Sequence, residues 1–515
     1  MKFVLKIYED IRQRVDTMTV RQLLRAVACP AAGADDRELE RDFAGVYVHP
    51  ATKAQVNAFV QYINGGEEAD TLVCSDTECG AGDMILGCTK FSSMMGLGVV
   101  DDPDLAYQVG RVAAKECVEA GYRWSLSPCV DILLHDGSPM ASTRCAGEDA
   151  DRVIRIAGAY MQGLQDGGVA ATIKHFPGDG ATVYDQHLTT TENPLTLEQW
   201  RESYGKVYRR LIEQGAMCVM PGHISLPCYD TPDPELGICP PATLSYPLMT
   251  TLLREELGFA GLICSDALTM GGFAGFMNYY EGCATYLKNG GDMLLFPKTG
   301  EIYYQKMEAL VENGYLPLAL LREKACRCLS FVRQIREQLQ IQPPIRTEPE
   351  ALAKELTQRS ITLVRDRKGS LPHKMGDKKV LVLDFSNVYT QETCARDLYE
   401  ELVKQGYPAD FLYDPGDAYL DDIIERGSYE LIICTVANQF AFGTNVLRPH
   451  GKQARNFMGG WPKLGVPCVF VCFHHPYFHT HFVAQTDAVI NTYGITDYTH
   501  EEIIKKIFGN GGNSL

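Results

Sequence analysis

Short apolar runs and longer amphipathic stretches alternate along the N-terminal part of the chain. The short runs predict strands, and the stretches, whose apolar positions recur every three to four residues, predict helices that cover them. The predicted helices include Asp104–Ala120, Ala150–Gln165, Leu197–Gln214 and Tyr246–Glu256. The predicted strands are Leu24–Cys29, Gly45–His49, Thr71–Ser75, Arg123–Leu126, Val169–Lys174, Ala216–Met220, Gly261–Cys264 and Asp292–Phe296. Eight strands in this alternation are typical of an α/β fold of the (β/α)8 TIM-barrel type.

A second domain is predicted after a proline-rich stretch, residues 341–352, which lacks periodicity and is typical of a linker. Strand-like and helical segments alternate again beyond it and indicate an α/β/α sandwich. The strands predicted there are Ile361–Val364, Lys379–Phe385, Leu431–Ala437, Cys468–Phe473 and Ala488–Tyr493. We therefore expect a catalytic barrel over residues 1–340 and a sandwich domain over residues 353–515.

Composition and charge narrow the class of partner. The chain has 515 residues, of which 45% are hydrophobic and 22% charged, and its formal net charge is −17. This acidity argues against a nucleic-acid partner, because binding to a phosphate backbone needs a basic stripe. No apolar run approaches the roughly 18 residues that a membrane span needs, and the N-terminus lacks the apolar core of a secretion signal. We expect a cytoplasmic protein that contacts no membrane and binds a neutral small or polymeric ligand; the sequence indicates no oligomeric state.

The eighteen cysteines are interpreted as reduced and structural. Several lie in predicted strands, such as Cys74, Cys218 and Cys264, where a thiol behaves as a small apolar side chain. The chain has no Cys-x-x-Cys pair, and the four histidines within residues 474–481 have no carboxylate or thiolate at a metal-ligand spacing. We expect no metal and no other cofactor, and interpret the histidine segment as a loop and the start of a helix.

Polar side chains follow the predicted strands of the barrel. The carboxyl ends of parallel strands meet at one rim, where barrel enzymes carry their chemistry. The candidates on this rim are Asp76, Glu78, Asp131, Arg144, Lys174, His175, His223 and Asp266. Some also have structural interpretations: Asp266 fits a helix N-cap, Asp76 and Arg144 fit a salt bridge, and His223 fits a residue that supports the site.

A carboxylate and an imidazole, Asp185 and His187, lie two residues apart in the segment from His175 to Pro194, which is roughly twenty residues long and typical of a mobile functional loop. A free imidazole, with a pKa of about 6.5, is only partly protonated at neutral pH. A neighbouring carboxylate favours the protonated form and orients the ring. An Asp-x-His pair is therefore a workable acid/base unit.

Five motifs, taken in order, resemble glycoside hydrolase family 3 and most closely its β-N-acetylglucosaminidase (NagZ-like) branch. They are Lys174-His175-Phe176-Pro177-Gly178, Asp185-Gln186-His187, Met220-Pro221-Gly222-His223-Ile224, Ala242-Thr243-Leu244-Ser245 and Ser265-Asp266-Ala267-Leu268-Thr269-Met270. The similarity extends into the second domain through Ser360-Ile361-Thr362-Leu363-Val364 and Asn491-Thr492-Tyr493-Gly494. The resemblance implies a barrel followed by an α/β sandwich, and a carbohydrate substrate.

The resemblance also implies residue roles. Asp266 matches the family's catalytic nucleophile, which forms a covalent glycosyl-enzyme and retains the anomeric configuration. His187 and Asp185 match the acid/base dyad of the β-N-acetylglucosaminidase branch. The positions that match sugar-binding residues are Asp76, Arg144, Lys174 and His175, with His223 beside them.

The chain departs from the family pattern at positions near these residues. Asp179 replaces the last histidine of the usual Lys-His-Phe-Pro-Gly-His-Gly, and the segment from Asp76 to Ala81 lacks the arginine of the usual Asp-Gln-Glu-Gly-Gly-Arg. Arg144-Cys145-Ala146-Gly147-Glu148-Asp149 varies the common Arg-Ser-Phe-Gly-Glu-Asp. These changes leave the catalytic positions intact and bear on which sugar and which leaving group are preferred.

The leading hypothesis is a retaining exo-β-glycosidase, specifically a β-N-acetylhexosaminidase that removes terminal N-acetylglucosamine from glycans such as cell-wall turnover fragments. Alternatives within the same chemistry are a β-glucosidase, a β-xylosidase or a glycoside phosphorylase. Two alternatives belong to other classes: a Schiff-base barrel enzyme with Lys174 as nucleophile, and a non-catalytic sugar-binding protein in which Asp179 disables the loop.

Overall fold

The computed structural model describes residues 2–65, 71–338, 348–386, 393–438, 443, 447–449 and 451–509. The chain folds into two units. The first consists of Met1–Lys90 and Asp101–Pro349, and the second of Phe91–Val100 and Glu350–Leu515. Of the predicted linker, residues 341–347 lie outside the described residues, and Pro349–Ser360 is a helix.

Parallel strands form the centre of the first unit. In chain order they are β1 (Ala28–Cys29), β2 (Gly45–Val48), β3 (Leu72–Ser75), β4 (Trp124–Ser125), β5 (Ala170–Phe176), β6 (Cys218–Pro221), β7 (Leu262–Ile263) and β8 (Leu294–Leu295). Neighbours pair in sequence from β2 to β7, and Ala31–Ala32, which continues β1, pairs with β2. β8 pairs with β1, and a single bridge between Cys264 and Met293 joins the ends of β7 and β8. The sheet thus closes on itself as a (β/α)8 barrel, the predicted fold.

Helices cover the barrel. They are Glu9–Thr17, Val20–Ala26, Lys53–Ile63, Pro103–Ala120, Ala150–Asp166, Leu197–Glu202, Tyr204–Gln214, the π-helix Pro247–Glu256, Gly271–Ala274, Tyr279–Lys288, Glu301–Glu312 and Leu318–Gln338. Local chemistry sets their ends: in Pro103–Ala120, the Asp102 side chain accepts two backbone N–H groups, Pro103 occupies the first position and Gly121 ends the helix in the left-handed conformation. None of the described helices is both long enough and apolar enough to cross a bilayer.

The first predicted strand, Leu24–Cys29, is wrong over its first half. Residues Val20–Ala26 form a helix, and only Ala28–Cys29 are extended. Thr19 and Gln22 form a reciprocal capping box that fixes the start of this helix. Leu23, Leu24 and Ala26 are all completely buried, so the apolar run that predicted a strand is the inner face of a helix.

The second unit has a six-stranded sheet between helices. Its strands are β9 (Thr362–Asp366), β10 (Lys379–Asp384), β11 (Ala409–Tyr413), β12 (Tyr429–Asn438), β13 (Cys468–His474) and β14 (Ala488–Asn491). The spatial order is β9-β14-β13-β12-β10-β11, with β9 antiparallel and the others parallel. The helices are Met94–Val100, Pro349–Ser360, Cys394–Lys404, Asp417–Glu425, Gly451–Arg455, Phe478–His481 and Thr499–Phe508.

Alternate residues of this sheet enter two separate cores. Val380 and Val382 pack on one face with Leu398 and Ile503, whereas Leu381 and Leu383 pack on the other with their own set of apolar side chains. This two-sided burial is the signature of the predicted α/β/α sandwich. The four-histidine segment, residues 474–481, contains the last residue of β13 and the short helix Phe478–His481.

One buried carboxylate ties together the amino-terminal side of the barrel. Asp292, completely buried before β8, accepts hydrogen bonds from Arg254 at 2.5 Å and from Arg327 Nε at 2.8 Å, and Lys324 Nζ lies 3.4 Å away. It also accepts the backbone N–H of Ile263 in β7 at 2.9 Å. Burial raises the pKa of Asp292, but Arg327, Arg254 and Lys324 outweigh it and hold the pKa far below its usual range. The cluster therefore joins β7 and β8 to two outer helices.

We expect Asp292→Ala to lower the free energy of unfolding by about 3–5 kcal/mol, because it leaves three cations around an empty position in a dry interior. Urea unfolding of both variants followed by circular dichroism measures this change. The control is Glu119→Ala, which removes an exposed pair with Lys53 at 2.6 Å and should cost less than about 1 kcal/mol. Equal effects of the two variants would contradict a special role for the buried cluster.

Candidate active site

The carboxyl ends of the barrel strands bring most of the predicted site residues together. Lys174 and His175 lie near the end of β5, Asp76 follows β3, and Asp266 follows β7 after two residues. Arg144 ends the short 3-10 helix Ser142–Arg144 in the segment after β4. Because every strand is parallel, these side chains come from distant parts of the sequence to one rim.

Two cations and two carboxylates form a network on this rim. Lys174 Nζ lies 2.7 Å from Asp76 Oδ1 and 2.7 Å from Glu78 Oε1. Arg144 binds Glu78 through both ends of its guanidinium, with Nε donating at 2.9 Å and Nη2 at 2.7 Å. Burial raises the pKa of Glu78, but Arg144 and Lys174 reverse the shift and hold the pKa well below its usual range. Asp76 has the most exposed side chain of the four, at 34%, so it is the best placed to meet a ligand.

The same network disfavours Lys174 as a Schiff-base nucleophile. Burial lowers the pKa of this amine, but Asp76 and Glu78 together raise it above its ordinary value. An amine nucleophile needs a lowered pKa so that a neutral form exists near pH 7. Lys174 is instead a cation held by two carboxylates, which argues against that alternative.

A buried carboxylate, Asp131, orients His175. Asp131 is completely buried and its Oδ2 lies 2.7 Å from His175 Nδ1, while its Oδ1 accepts the backbone N–H groups of His175 at 3.2 Å and Asp179 at 2.7 Å. Burial raises the pKa of Asp131, but the charge of His175 outweighs it and lowers the pKa below the ordinary value. The other nitrogen of the ring, Nε2, lies 3.9 Å from Asp266 Oδ2 and 3.5 Å from Arg144 Nη2.

Asp266 is an ionised carboxylate at the rim. Its residue exposure is 9%, and its Oδ1 accepts the N–H of Ala267 at 2.8 Å. Burial raises the pKa of Asp266, but the neighbouring imidazoles, His175 foremost, and the N–H of Ala267 outweigh it and lower the pKa. A carboxylate kept charged among imidazoles can act as a nucleophile or can stabilise a cation that forms beside it.

Asp185 and His187 form the predicted pair. His187 Nδ1 lies 2.8 Å from Asp185 Oδ1, and the same oxygen accepts the N–H of His187 at 2.8 Å. Asp185 is 1% exposed, whereas the His187 side chain keeps 18% of its surface open. The buried carboxylate therefore fixes the ring, and the ring is the member of the pair that a ligand can reach.

His223 is completely buried and uses both ring nitrogens within the protein. Nδ1 lies 2.9 Å from Thr243 Oγ1, and Nε2 lies 3.0 Å from the carbonyl oxygen of Ala267. Burial lowers the pKa of His223, which favours the neutral ring. These contacts hold the backbone next to Asp266, so we interpret His223 as a supporting residue rather than one that contacts substrate.

The structure gives contacts to three residues that had no assigned role in the sequence: Glu78 and Asp131, which were rim candidates only, and Gln186, which lies within the Asp-x-His motif. Glu78 binds Lys174 and Arg144, Asp131 binds His175, and Gln186 is completely buried between Asp185 and His187. The position of Asp131 after a buried strand was a usable signal, but its partner lies 44 residues away along the chain. The spacing of residues in one sequence does not reveal such a pair.

The described residues include one group with the proximity to hold a metal ion, formed by Cys129, Asp131 and His175 within 4.8 Å. All three are already engaged with one another: the Cys129 thiol donates to Asp131 at 3.0 Å, and Asp131 binds the His175 ring. Burial also raises the pKa of Cys129 well above its ordinary value, which disfavours the thiolate that a metal requires. We interpret the group as the support of His175.

Comparison with known proteins identifies the family. Residues 48–331 match the model of the glycosyl hydrolase family 3 N terminal domain. The chain is 29% identical over 492 residues to a "Beta-N-acetylglucosaminidase/beta-glucosidase" of Cellulomonas fimi, which covers 90% of this chain and 86% of that protein. It is 31% identical over 292 residues to a beta-hexosaminidase of Pasteurella multocida, covering 55% of this chain and 80% of that protein.

Solved structures are similar over nearly the whole chain. The beta-glucoside phosphorylase BglX bound to 2FGlc superposes with a TM-score of 0.88 and 27% identity, covering 99% of this chain and 96% of that one. A glycoside hydrolase family 3 beta-N-acetylglucosaminidase from Paenibacillus sp. str. FPU-7 gives a TM-score of 0.78 and 23% identity over 96% of this chain and 97% of that one. The second likeness concerns the fold alone.

Asp179 should make folding stability depend on pH. Burial, reinforced by the charge of Asp131, raises the pKa of Asp179 to about 8. A carboxyl whose folded-state pKa is raised contributes stability that is complete below its unfolded pKa of about 4 and is lost as the pH rises through the folded value. We expect Asp179→Asn, which cannot ionise, to raise the free energy of unfolding by about 1–3 kcal/mol at pH 8 and by much less at pH 5.

Urea unfolding of the wild type and the variant at pH 5 and pH 8 tests this expectation. Asp151 is the control of opposite sign, because a hydrogen bond from Lys206 lowers the pKa of this exposed carboxyl. Asp151→Asn should slightly destabilise the protein at pH 8 and have less effect as the pH falls towards 3. A gain for Asp179→Asn that is the same at both pH values would show that Asp179 is already ionised in the folded protein.

Proposed function

Because the chain belongs to glycosyl hydrolase family 3 and is a glycosidase, we propose that it is a retaining exo-β-glycosidase that releases terminal N-acetylglucosamine. One observation carries this proposal: an ionised carboxylate, Asp266, stands on the same rim as an imidazole, His187, that a buried carboxylate orients. The two groups supply the two functions that retaining hydrolysis needs, a nucleophile and a proton carrier.

In the first step, a carboxylate oxygen of Asp266 attacks the anomeric carbon and the bond from that carbon to the leaving-group oxygen breaks. His187 donates a proton to this oxygen, so the leaving group departs as an alcohol. Because Asp185 binds Nδ1 of His187, Nε2 is the ring nitrogen that exchanges a proton with the substrate. Asp185 stabilises the imidazolium before transfer and holds the ring afterwards.

In the second step, water attacks the anomeric carbon of the glycosyl-Asp266 ester. His187, now neutral, accepts the proton of this water, and the ester bond to Asp266 breaks. The sugar leaves with its original configuration after two inversions. Both groups return to their starting protonation states.

Asp76, Lys174 and Arg144 are proposed to bind sugar hydroxyls. Lys174 pairs with Asp76 and Glu78, and Arg144 pairs with Glu78, so these side chains are held in place before substrate arrives and less entropy is lost on binding. The choice of N-acetylglucosamine draws support from the Cellulomonas and Pasteurella relatives, whose names include the corresponding activities. Cell-wall turnover fragments, which expose such sugars, are the proposed natural substrates.

Phosphorolysis is a second candidate. The structure with a TM-score of 0.88 over 99% of this chain is a beta-glucoside phosphorylase. An imidazole base is also compatible with an anionic acceptor, because it is neutral when it accepts a proton and does not repel phosphate as a carboxylate base would. In this variant phosphate replaces water in the second step and the product is a sugar phosphate.

We expect Asp266→Asn to lower kcat/KM for an aryl β-N-acetylglucosaminide by at least about 10³-fold, because the covalent step is lost. Release of the aryl group followed by absorbance measures the rate. Azide should restore turnover of Asp266→Ala and give the glycosyl azide of inverted configuration. Asp136→Asn, on a partly exposed residue paired with His135, is the matched control and should keep full activity. Unaltered turnover of Asp266→Asn would overturn the proposed nucleophile.

A panel of aryl β-glycosides measured with and without phosphate determines the substrate and the acceptor. We expect the N-acetylglucosaminide to be cleaved about tenfold or more faster than the glucoside and the xyloside, a difference that one well-placed hydrogen bond supplies. Rate acceleration by phosphate together with formation of a sugar 1-phosphate would establish the phosphorylase instead. Faster cleavage of the glucoside would overturn the proposed sugar preference.

A further inference from the structure

Gln186 lies between the two members of the Asp185–His187 pair and is completely buried. A primary amide placed in a dry interior is costly unless its carbonyl and its amino group find partners. Both ends of this side chain face polar groups of the barrel rim. The residue therefore has a defined orientation, although it carries no chemistry of its own.

The side chain of Gln186 connects the segments that follow two strands. Its Oε1 accepts the backbone N–H of His223, after β6, at 2.7 Å. Its Nε2 lies 3.5 Å from Asp179 Oδ2, after β5, at the long limit of a hydrogen bond. Since the N–H of His223 can only donate, it fixes which end of the amide is the oxygen.

The backbone around Gln186 adds contacts to the segment after β7. The carbonyl oxygen of Gln186 accepts the N–H of Gly272 at 3.1 Å, and that of His187 accepts the N–H of Gly271 at 2.8 Å. Glycine is required at this approach: a Cβ on Gly272 would lie 2.7 Å from the Gln186 carbonyl oxygen, and one on Gly222 would lie 2.9 Å from Oε1. Hydrogen bonds within the protein thus join the segment that bears the proposed acid/base to the segments after β5, β6 and β7.

We propose that Gln186 is a positioning residue. Its buried amide is held between His223 and Asp179, and this clamp keeps the His187 ring in the position from which it reaches the glycosidic oxygen. This inference rests on the proposed function of His187 as acid/base. His187 is covalently joined to Gln186, so loss of the clamp moves the ring directly. A displacement of about 1 Å of a catalytic group costs on the order of 100-fold in rate.

Asp179 is the second partner of the Gln186 amide in this clamp, and its surroundings favour the neutral carboxylic acid. Burial and Asp131 raise its pKa, and Asp185 adds to the rise, whereas the N–H of Gly180 and the charge of Arg144 lower it. The carbonyl oxygen of Asp179 accepts the hydroxyl of Tyr204 at 2.6 Å, which fixes the backbone there. The residue that departs from the family pattern therefore serves the dyad loop and does not disable it.

The leaving group of the substrate separates a positioning role from a structural one. Protonation by an acid accelerates departure of a poor leaving group and matters little for one that is already a stable anion. We compare kcat/KM on a phenyl glycoside and on a 2,4-dinitrophenyl glycoside for the wild type, His187→Ala and Gln186→Met. The methionine keeps the length of the side chain but forms no hydrogen bond to His223 or Asp179.

Gln186→Met should lose about 10- to 100-fold on the phenyl glycoside and less than about threefold on the dinitrophenyl glycoside, the same pattern as a weaker His187→Ala. The matched control is Gln165→Met. Gln165 also uses both ends of its amide, donating to the Gly215 carbonyl at 3.0 Å and accepting the Met217 N–H at 3.2 Å, but on the amino-terminal side of β6. Loss of the Gln165 amide should lower the melting temperature and leave the ratio of kcat/KM on the two substrates unchanged.

Equal losses on both substrates, or no loss on either, would overturn the positioning role of Gln186. If Gln186→Met does not fold, Gln186→Glu carries the test, because its carboxylate oxygen still accepts the His223 N–H. At pH 5 this variant should keep the wild-type ratio of kcat/KM on the two glycosides. At pH 8, where the introduced charge faces Asp179, it should lose activity on the phenyl glycoside. An unchanged ratio at both pH values would contradict the inference. Failure of the proposed function is distinguishable, since Asp266→Asn would then leave both substrates unaffected.

Discussion

The buried contact between Asp131 and His175 is the constraint on which the arrangement of the rim depends. Asp131 binds the ring and the backbone N–H of His175 and also the backbone N–H of Asp179. One carboxylate therefore fixes the imidazole that faces Asp266 and the start of the loop that carries Asp185 and His187. Its charge has a second effect, because it raises the pKa of Asp179. A single ionised group in a dry interior thereby positions both His175 and Asp179 and, together with burial, favours the protonated form of Asp179.

The sequence was informative wherever a local pattern decides the structure. The alternation of apolar runs and amphipathic stretches located the barrel strands and most helices, because each parallel strand is buried on both faces. The error at Leu24 arose where a capping box converts an apolar run into a helix face. The edge strand β11, Ala409–Tyr413, was missed: Asp410 interrupts its short apolar run, and none of its residues is fully buried.

The site was predictable in part for a related reason. Residues at the ends of parallel strands must share a rim, so Asp76, Lys174, His175 and Asp266 could be grouped from their positions alone. Their partners could not. Glu78 reaches Arg144 across 66 residues of sequence, and the environment of Asp179 depends on a carboxylate from another strand. Pair geometry and burial of charge belong to the assembled barrel, and no single segment encodes them.

The charge cluster at Asp292 has a consequence for the order in which the protein can be completed on the ribosome. Arg254 precedes Asp292 in the chain, but Lys324 and Arg327 are made later, in the helix that also receives the N-terminal segment through Tyr8, whose N–H donates to Ser330 Oγ. A nascent chain that stops before this helix has every barrel strand, yet two of the three counter-charges for β8 are missing. The charges around Asp292 are therefore balanced only after the helix Leu318–Gln338, which lies outside the ring of strands, has been synthesised.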